Sequence, residues 1–339
     1  MKIVSSLLLA LLLSLTAQKT INGAGASFPF PIYQAWALDY YKTTGIRLNY
    51  QSIGSGGGVR QITNRTVEFG ASDAPVKPAK LEKGNLLQFP AIIGGVVPII
   101  NVAGIPHNSL KLSGLAITKI FMGEIKKWND PIIAKENPTI NLPDKKITTI
   151  KRSDGSGTTA IFTNYLSAAN AQFKDVVGVG KSVKWPKGGV SAKGNEGVSN
   201  YVKRIKNSIG YVEYAYAKKN KLSFAKLQNK DGNYVSPTVE TFKAAAAGAV
   251  WDSSKGFYLW LVNAPGANSW PVTGASFILM GKETPESNKK VTAFYDWCFK
   301  NGDERAIQET YIPLPENLKE SIRKYWAENN SSALATKIK

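Results

Sequence analysis

Apolar residues follow two rhythms along this chain, and the rhythms take turns. Residues 46–50, Ile-Arg-Leu-Asn-Tyr, alternate apolar and polar side chains, the period of a strand with one buried face. Residues 32–41 instead carry aromatic and apolar side chains at helical spacing. Residues 67–71 predict a short strand that stops at Ser72-Asp73. Residues 147–152 predict another, which feeds a glycine-serine turn and then a helix to about Ser167. Helices are also predicted over 291–300 and 318–327, and the alanine run 244–247 suits a helix. Strand, glycine turn and helix, repeated, predict an α/β fold with ligand chemistry at the carboxyl ends of strands.

Two longer apolar runs break the rhythm. Residues 89–102 are nearly all apolar, but Gly94, Gly95 and Pro98 lie inside, so the pattern predicts a buried strand with a break. Residues 276–280 form a second run, after Trp270-Pro271. No linker rich in Ser, Pro or Gly separates two halves of the chain. Two chain crossings near these runs account for that. They predict interleaved lobes, with lobe one over 18–92 and 271–339 and lobe two over 93–270. Residues 1–17 lie outside the fold. Met1-Lys2 followed by the apolar stretch 4–15 predicts a secretory signal peptide cut after Ala17. No cysteine stands near that site, so a lipid anchor there is excluded, and no other run is long enough to span a bilayer.

Composition narrows the function classes. The single cysteine, Cys298, rules out an intramolecular disulfide and a four-cysteine metal site. His, Asp and Glu show no metal-ligand cluster, so neither a metal nor another cofactor is expected. The net charge of +19 is spread over scattered lysines, with no zinc-finger spacing, RNP-like stretch or heptad. A nucleic-acid partner is therefore not expected, and the charge serves as weak support for a small anionic ligand.

Three segments share one composition: Gly23-Ala-Gly-Ala-Ser27-Phe28-Pro29, Ile53-Gly-Ser55-Gly-Gly-Gly58 and Arg152-Ser-Asp154-Gly-Ser156-Gly157-Thr158. Each sets glycine beside a hydroxyl and precedes a helix, an arrangement that aims bare backbone N–H groups at an oxyanion. Arg152 adds a guanidinium that fits two oxygens at once. Asp154, two residues away, is placed to hold it. Plain structural readings stand beside these. Asp154 or Ser156 can cap the following helix, residues 53–58 can be a flexible turn, and Asp73 can be an N-cap with Pro75 just inside the next element.

Asp73, in Gly70-Ala-Ser-Asp-Ala-Pro75, separates the readings. An ionised carboxylate facing a bare anion oxygen is repelled by about 4 kcal/mol at 4 Å with an effective dielectric near 20. If that oxygen carries a proton, the contact becomes a short charge-assisted hydrogen bond. Phosphate carries such a proton near neutral pH and sulfate does not. Phe28 would keep water away and strengthen both effects.

These segments resemble the periplasmic phosphate-binding proteins of bacterial phosphate ABC transporters. The resemblance runs through nearly the whole mature chain. It includes Phe89-Pro-Ala-Ile-Ile-Gly-Gly-Val-Val97 and Ile209-Gly-Tyr-Val-Glu-Tyr-Ala-Tyr-Ala217 besides the segments above. It implies a two-lobed type II binding-protein fold with a two-crossing hinge, closing over one phosphate and delivering it to an inner-membrane ABC permease. The implied receptor is periplasmic, monomeric and not an enzyme. The family's contacts fall on Ser27, Phe28, Ser55, Asp73, Arg152, Ser156, Gly157 and Thr158, with Asp154 orienting the arginine. A family serine is replaced by Gly56, which removes one side-chain contact. Three other readings compete: a secreted phosphatase using Ser156 with His107, the only histidine; an extracellular adhesion or matrix protein working through its basic surface; and a receptor for a similar oxyanion such as arsenate.

Overall fold

The computed structural model describes residues 20–329, so the signal peptide and its cleavage site lie outside the described residues. Strands β1 (Thr20–Gly25), β2 (Arg47–Ser52) and β3 (Phe69–Ser72) run parallel, with β1 in the middle. Helix α1 (Phe30–Thr44) links β1 to β2, and helix α2 (Ser55–Thr63) links β2 to β3. The strand Thr273–Gly281 adds antiparallel to β3 and then pairs antiparallel with β4 (Leu86–Asn101).

β4 joins the two ends of a nine-stranded sheet. Its residues 86–95 pair with Thr273–Gly281, and its residues 96–101 pair with Ser208–Glu213. Thr148–Arg152 and then Val190–Ala192 extend the sheet in parallel beyond that. Apart from Asn101, every residue of β4 is buried, as expected of a strand covered on both faces. The predicted break at Pro98 is absent. Pro98 sits opposite Tyr211 inside the ladder, and its carbonyl accepts from Ala225 N at 3.0 Å. The irregularity falls elsewhere, as a register shift beside Pro90, opposite Ser276 and Phe277.

Residues 53–58 are not a flexible turn. Helix α2 starts at Ser55 and takes in Gly56, Gly57 and Gly58, with Gly54 at its N-cap. Gly58 shows why: a Cβ there would strike Gly25 Cα and the carbonyl oxygens of Ala24 and Ala71. The glycines let α2 lie directly on the backbone of β1 and β3. Aromatic rings fill the other face of these strands, where Tyr295 meets Tyr33, Phe69 and Phe89 edge-on. The C-terminal helices run over Pro285–Asn301 and Glu316–Asn329. Among the described residues no helix is long and apolar enough to cross a membrane.

Candidate functional site

Four strand ends meet at one seam, three from the parallel set β1–β3 and one from Thr148–Arg152, which runs the opposite way because three antiparallel pairings separate it from β3. β1 stops just before Ser27 and Phe28, β2 before α2, β3 before Asp73, and Thr148–Arg152 at Arg152 itself. The amino ends of α1, α2 and the helix Gly157–Ala169 follow three of them. Carboxyl ends of parallel strands and amino ends of helices together form an anion-binding crevice. Neither α1 nor α2 has a side-chain cap, which leaves backbone donors at both helix starts open to another acceptor.

Asp73 is 2% exposed. Its backbone N–H donates to Ser55 Oγ at 3.1 Å, and Ser55 Oγ lies 3.3 Å from Asp73 Oδ2. Oδ1 is buried with no hydrogen bond of good geometry, and the Ser276 hydroxyl stands close enough to pull the carboxyl down. Burial pushes the carboxyl up to about 7, against the pull of Ser276, Arg152 and Ser55. Asp73 is not a helix cap. The next helix begins at Pro78 with Lys77 before it, and Pro75 lies outside that helix.

Arg152 is held by Asp154 through two bonds, Nε to Oδ1 at 2.7 Å and Nη2 to Oδ2 at 2.6 Å. Gly194 N also donates to Asp154 Oδ1, at 3.1 Å. Burial alone would raise the Asp154 carboxyl, but the bonded guanidinium keeps it below the usual carboxylate range. The remaining nitrogen, Arg152 Nη1, is buried and has no partner. Arg152 Nη1 and Asp73 Oδ1 are thus a charged donor and an acceptor in one enclosed region, neither satisfied by protein. Buried groups of this kind are costly unless a ligand completes them.

Ser156 caps the helix Gly157–Ala169, its Oγ accepting from Thr159 N at 3.0 Å. The hydroxyl proton stays available to a ligand. A Cβ built on Gly157 would collide with Ser55 Oγ and Asp73 Oδ2, so the two banks of the site touch there. Gly56 N donates to Gly155 O at 2.7 Å across the same seam. Ser27 and Thr158 meet through Asn195, whose Nδ2 donates to Ser27 Oγ at 2.8 Å and to Thr158 Oγ1 at 3.2 Å. Phe28 is fully buried and packs edge-on to Tyr311, with ring centroids 6.2 Å apart. Ser27, Ser55, Asp73, Gly157 and Thr158 thus come together at one seam between β1–β3 and the Thr148–Arg152 side of the sheet, with Arg152 acting on Asp73 across it and Phe28 and Ser156 adjoining it in the chain.

Sequence reasoning missed Asn195, Ser276 and Lys181. Asn195 lies in Gly194-Asn-Glu-Gly197, another glycine-bounded helix start, and that composition was the available signal. Its Oδ1 also accepts from Glu213 N at 2.9 Å. Glu196, next to it, accepts from Ser52 Oγ at 3.4 Å and Tyr216 Oη at 2.9 Å. Lys181 is placed by its carbonyl, which accepts from Ser156 N at 2.8 Å. Burial and then the nearby Lys80 push its ammonium down, while Asp73 pulls it up. Nothing in the sequence around Lys181 marks it. His107 occupies an exposed turn against Phe224, and Ser156 Oγ bonds to a backbone N–H rather than to a base.

A family model described as the PBP superfamily domain matches residues 14–301. The phosphate-binding protein PstS of Pasteurella multocida is 56% identical over 327 residues, covering 95% of each chain. The PstS protein of Haemophilus influenzae is 53% identical, covering 91% of this chain and 92% of its own. Among solved structures, the phosphate-binding protein PfluDING, bound with phosphate, superposes with a TM-score of 0.71 at 20% identity. It covers 90% of this chain and 93% of its own. The phosphate-binding protein from Stenotrophomonas maltophilia gives 0.66 at 19% identity with the same coverage.

Proposed function

This chain belongs to the PstS phosphate-binding proteins of the PBP superfamily, and we propose that the seam between Asp73 and Arg152 is where it captures inorganic phosphate. Its fold is the α/β two-lobed type II arrangement, and its role is that of a solute-binding receptor for ABC transport, not an enzyme. One observation carries the placement: Asp73 Oδ1 and Arg152 Nη1 are both buried and both unpartnered. Their chemistries differ in the sense phosphate requires. Arg152, Ser156, Thr158, Ser27, Ser55 and the helix-start N–H groups donate to charged oxygens, and the Asp73 carboxylate accepts from the phosphate hydroxyl.

Lobe one would hold 18–92 and 271–339 and supply Ser27, Phe28, Ser55 and Asp73. Lobe two would hold 93–270 and supply Arg152, Ser156, Gly157 and Thr158. The change of β4 partner between Gly95 and Val96 supports a crossing there. Phosphate that touches both lobes only when they close shifts the hinge by its differential affinity. The receptor would act as a monomer and hand its cargo to a permease on the periplasmic side of the membrane.

The test is selectivity. Asp73→Asn removes the repulsion toward a bare oxyanion, so calorimetry should show sulfate binding about a hundredfold better than to wild type. Equal exclusion of sulfate by both proteins would overturn the assignment of Asp73.

A further inference from the structure

We propose that a second anion site lies on the opposite face of the strand Thr148–Arg152, built around Lys151 and taking a compact phosphate anion of two or more negative charges. Alternation along a strand sends neighbouring side chains to opposite faces, so Lys151 and Thr149 point away from the crevice that Arg152 enters. They line a pocket of about 290 Å³ together with Lys126, Lys146 and Lys187.

Lys151 is 5% exposed. Its Nζ donates to the carbonyls of Pro186 and Gly188, both at 3.0 Å, and lies 5.6 Å from the centre of the Trp185 ring. An ammonium has three N–H bonds, so one remains for a ligand. The loop that holds it is built for close approach. Gly188 and Gly189 both take positive φ, and a Cβ on Gly189 would strike Thr149 Oγ1.

No carboxylate lines this pocket, and none of the four lysines forms an ion pair among the described residues. The acidic side chains on adjoining segments are already engaged, Glu124 with Lys119 and Asp144 with Lys127, each at 2.7 Å. The other wall is the end of the helix Gly114–Met122. There the carbonyls of Lys119 and Ile120 already accept from the N–H groups of Gly123, Glu124 and Ile125. Burial pushes the Lys151 ammonium down, a cost that a bound anion would reverse. Four like charges around one hollow repel one another, and a multivalent oxyanion relieves all of them at once.

The full chain, with its crevice filled by one equivalent of phosphate, is titrated at low salt with further phosphate and, separately, with pyrophosphate. One additional equivalent is expected for at least one probe, with a dissociation constant raised tenfold or more in the Lys126→Ala/Lys146→Ala double variant and restored in the double Arg variant. Binding of the first phosphate should be unchanged in both, which separates this site from the crevice. A second equivalent of phosphate identifies a monophosphate site, and one of pyrophosphate alone identifies a condensed-phosphate site. No additional equivalent, simple displacement of the first phosphate, or equal binding by the alanine variant would overturn the proposal.

Discussion

Asp154 makes two bonds to the Arg152 guanidinium and leaves Nη1 as the one nitrogen of the group with no partner. A long side chain loses rotamer freedom when it binds, and Asp154 imposes most of that order beforehand. Asp154→Ala should therefore weaken phosphate binding by roughly ten- to a hundredfold, in line with losing a charge-assisted pair. Calorimetry would show it, and an unchanged dissociation constant would remove the positioning role. The pair stood out in the sequence because two residues in one short turn carry opposite charges. Asn195 did not stand out. It is a neutral side chain 43 positions from Arg152 in the chain, and its contacts with Ser27 and Thr158 exist only once two distant helix starts meet.

Among the elements, helix starts do most to define the crevice. The helix Gly157–Ala169 begins against Ser55 and Asp73 with no room for a Cβ at Gly157. Gly157→Ala should keep the helix, since alanine is the better helix former, yet hold the two banks apart. Phosphate affinity should fall by a hundredfold or more while far-ultraviolet circular dichroism is unchanged. Retained affinity would mean that the seam need not close this tightly. The same sensitivity to backbone approach explains α2, where the glycines read from sequence as looseness and serve in the fold as contact surface. Asp73 teaches the converse. Pro75 suggested a cap, but no helix begins after Asp73 until Pro78, so the carboxyl caps nothing.

In the molecule as a whole, burial lifts the Asp73 carboxyl from its ordinary 3.8 to about 7, and a hinge that supplies this burial on closing would couple closure to protonation. A raised carboxyl stabilises the state that raises it while protonated. That contribution is full below the ordinary carboxylate range and is lost as pH rises through about 7. Small-angle scattering of phosphate-free protein should show a more compact average at pH 5 than at pH 8. Asp73→Asn should remove that difference. A wild-type radius independent of pH would argue that the empty lobes do not close over this group. Local pattern alone was enough to determine the strand and helix rhythm, the α/β class and the candidate anion contacts, because periodicity, glycine and hydroxyl placement act over a few residues. Folding in three dimensions decided the continuous passage of β4 through Pro98, the bridging role of Asn195, the Lys151 pocket and the burial that shifts Asp73. Each of those depends on segments far apart in the chain, and desolvation has no signature in a string of residues.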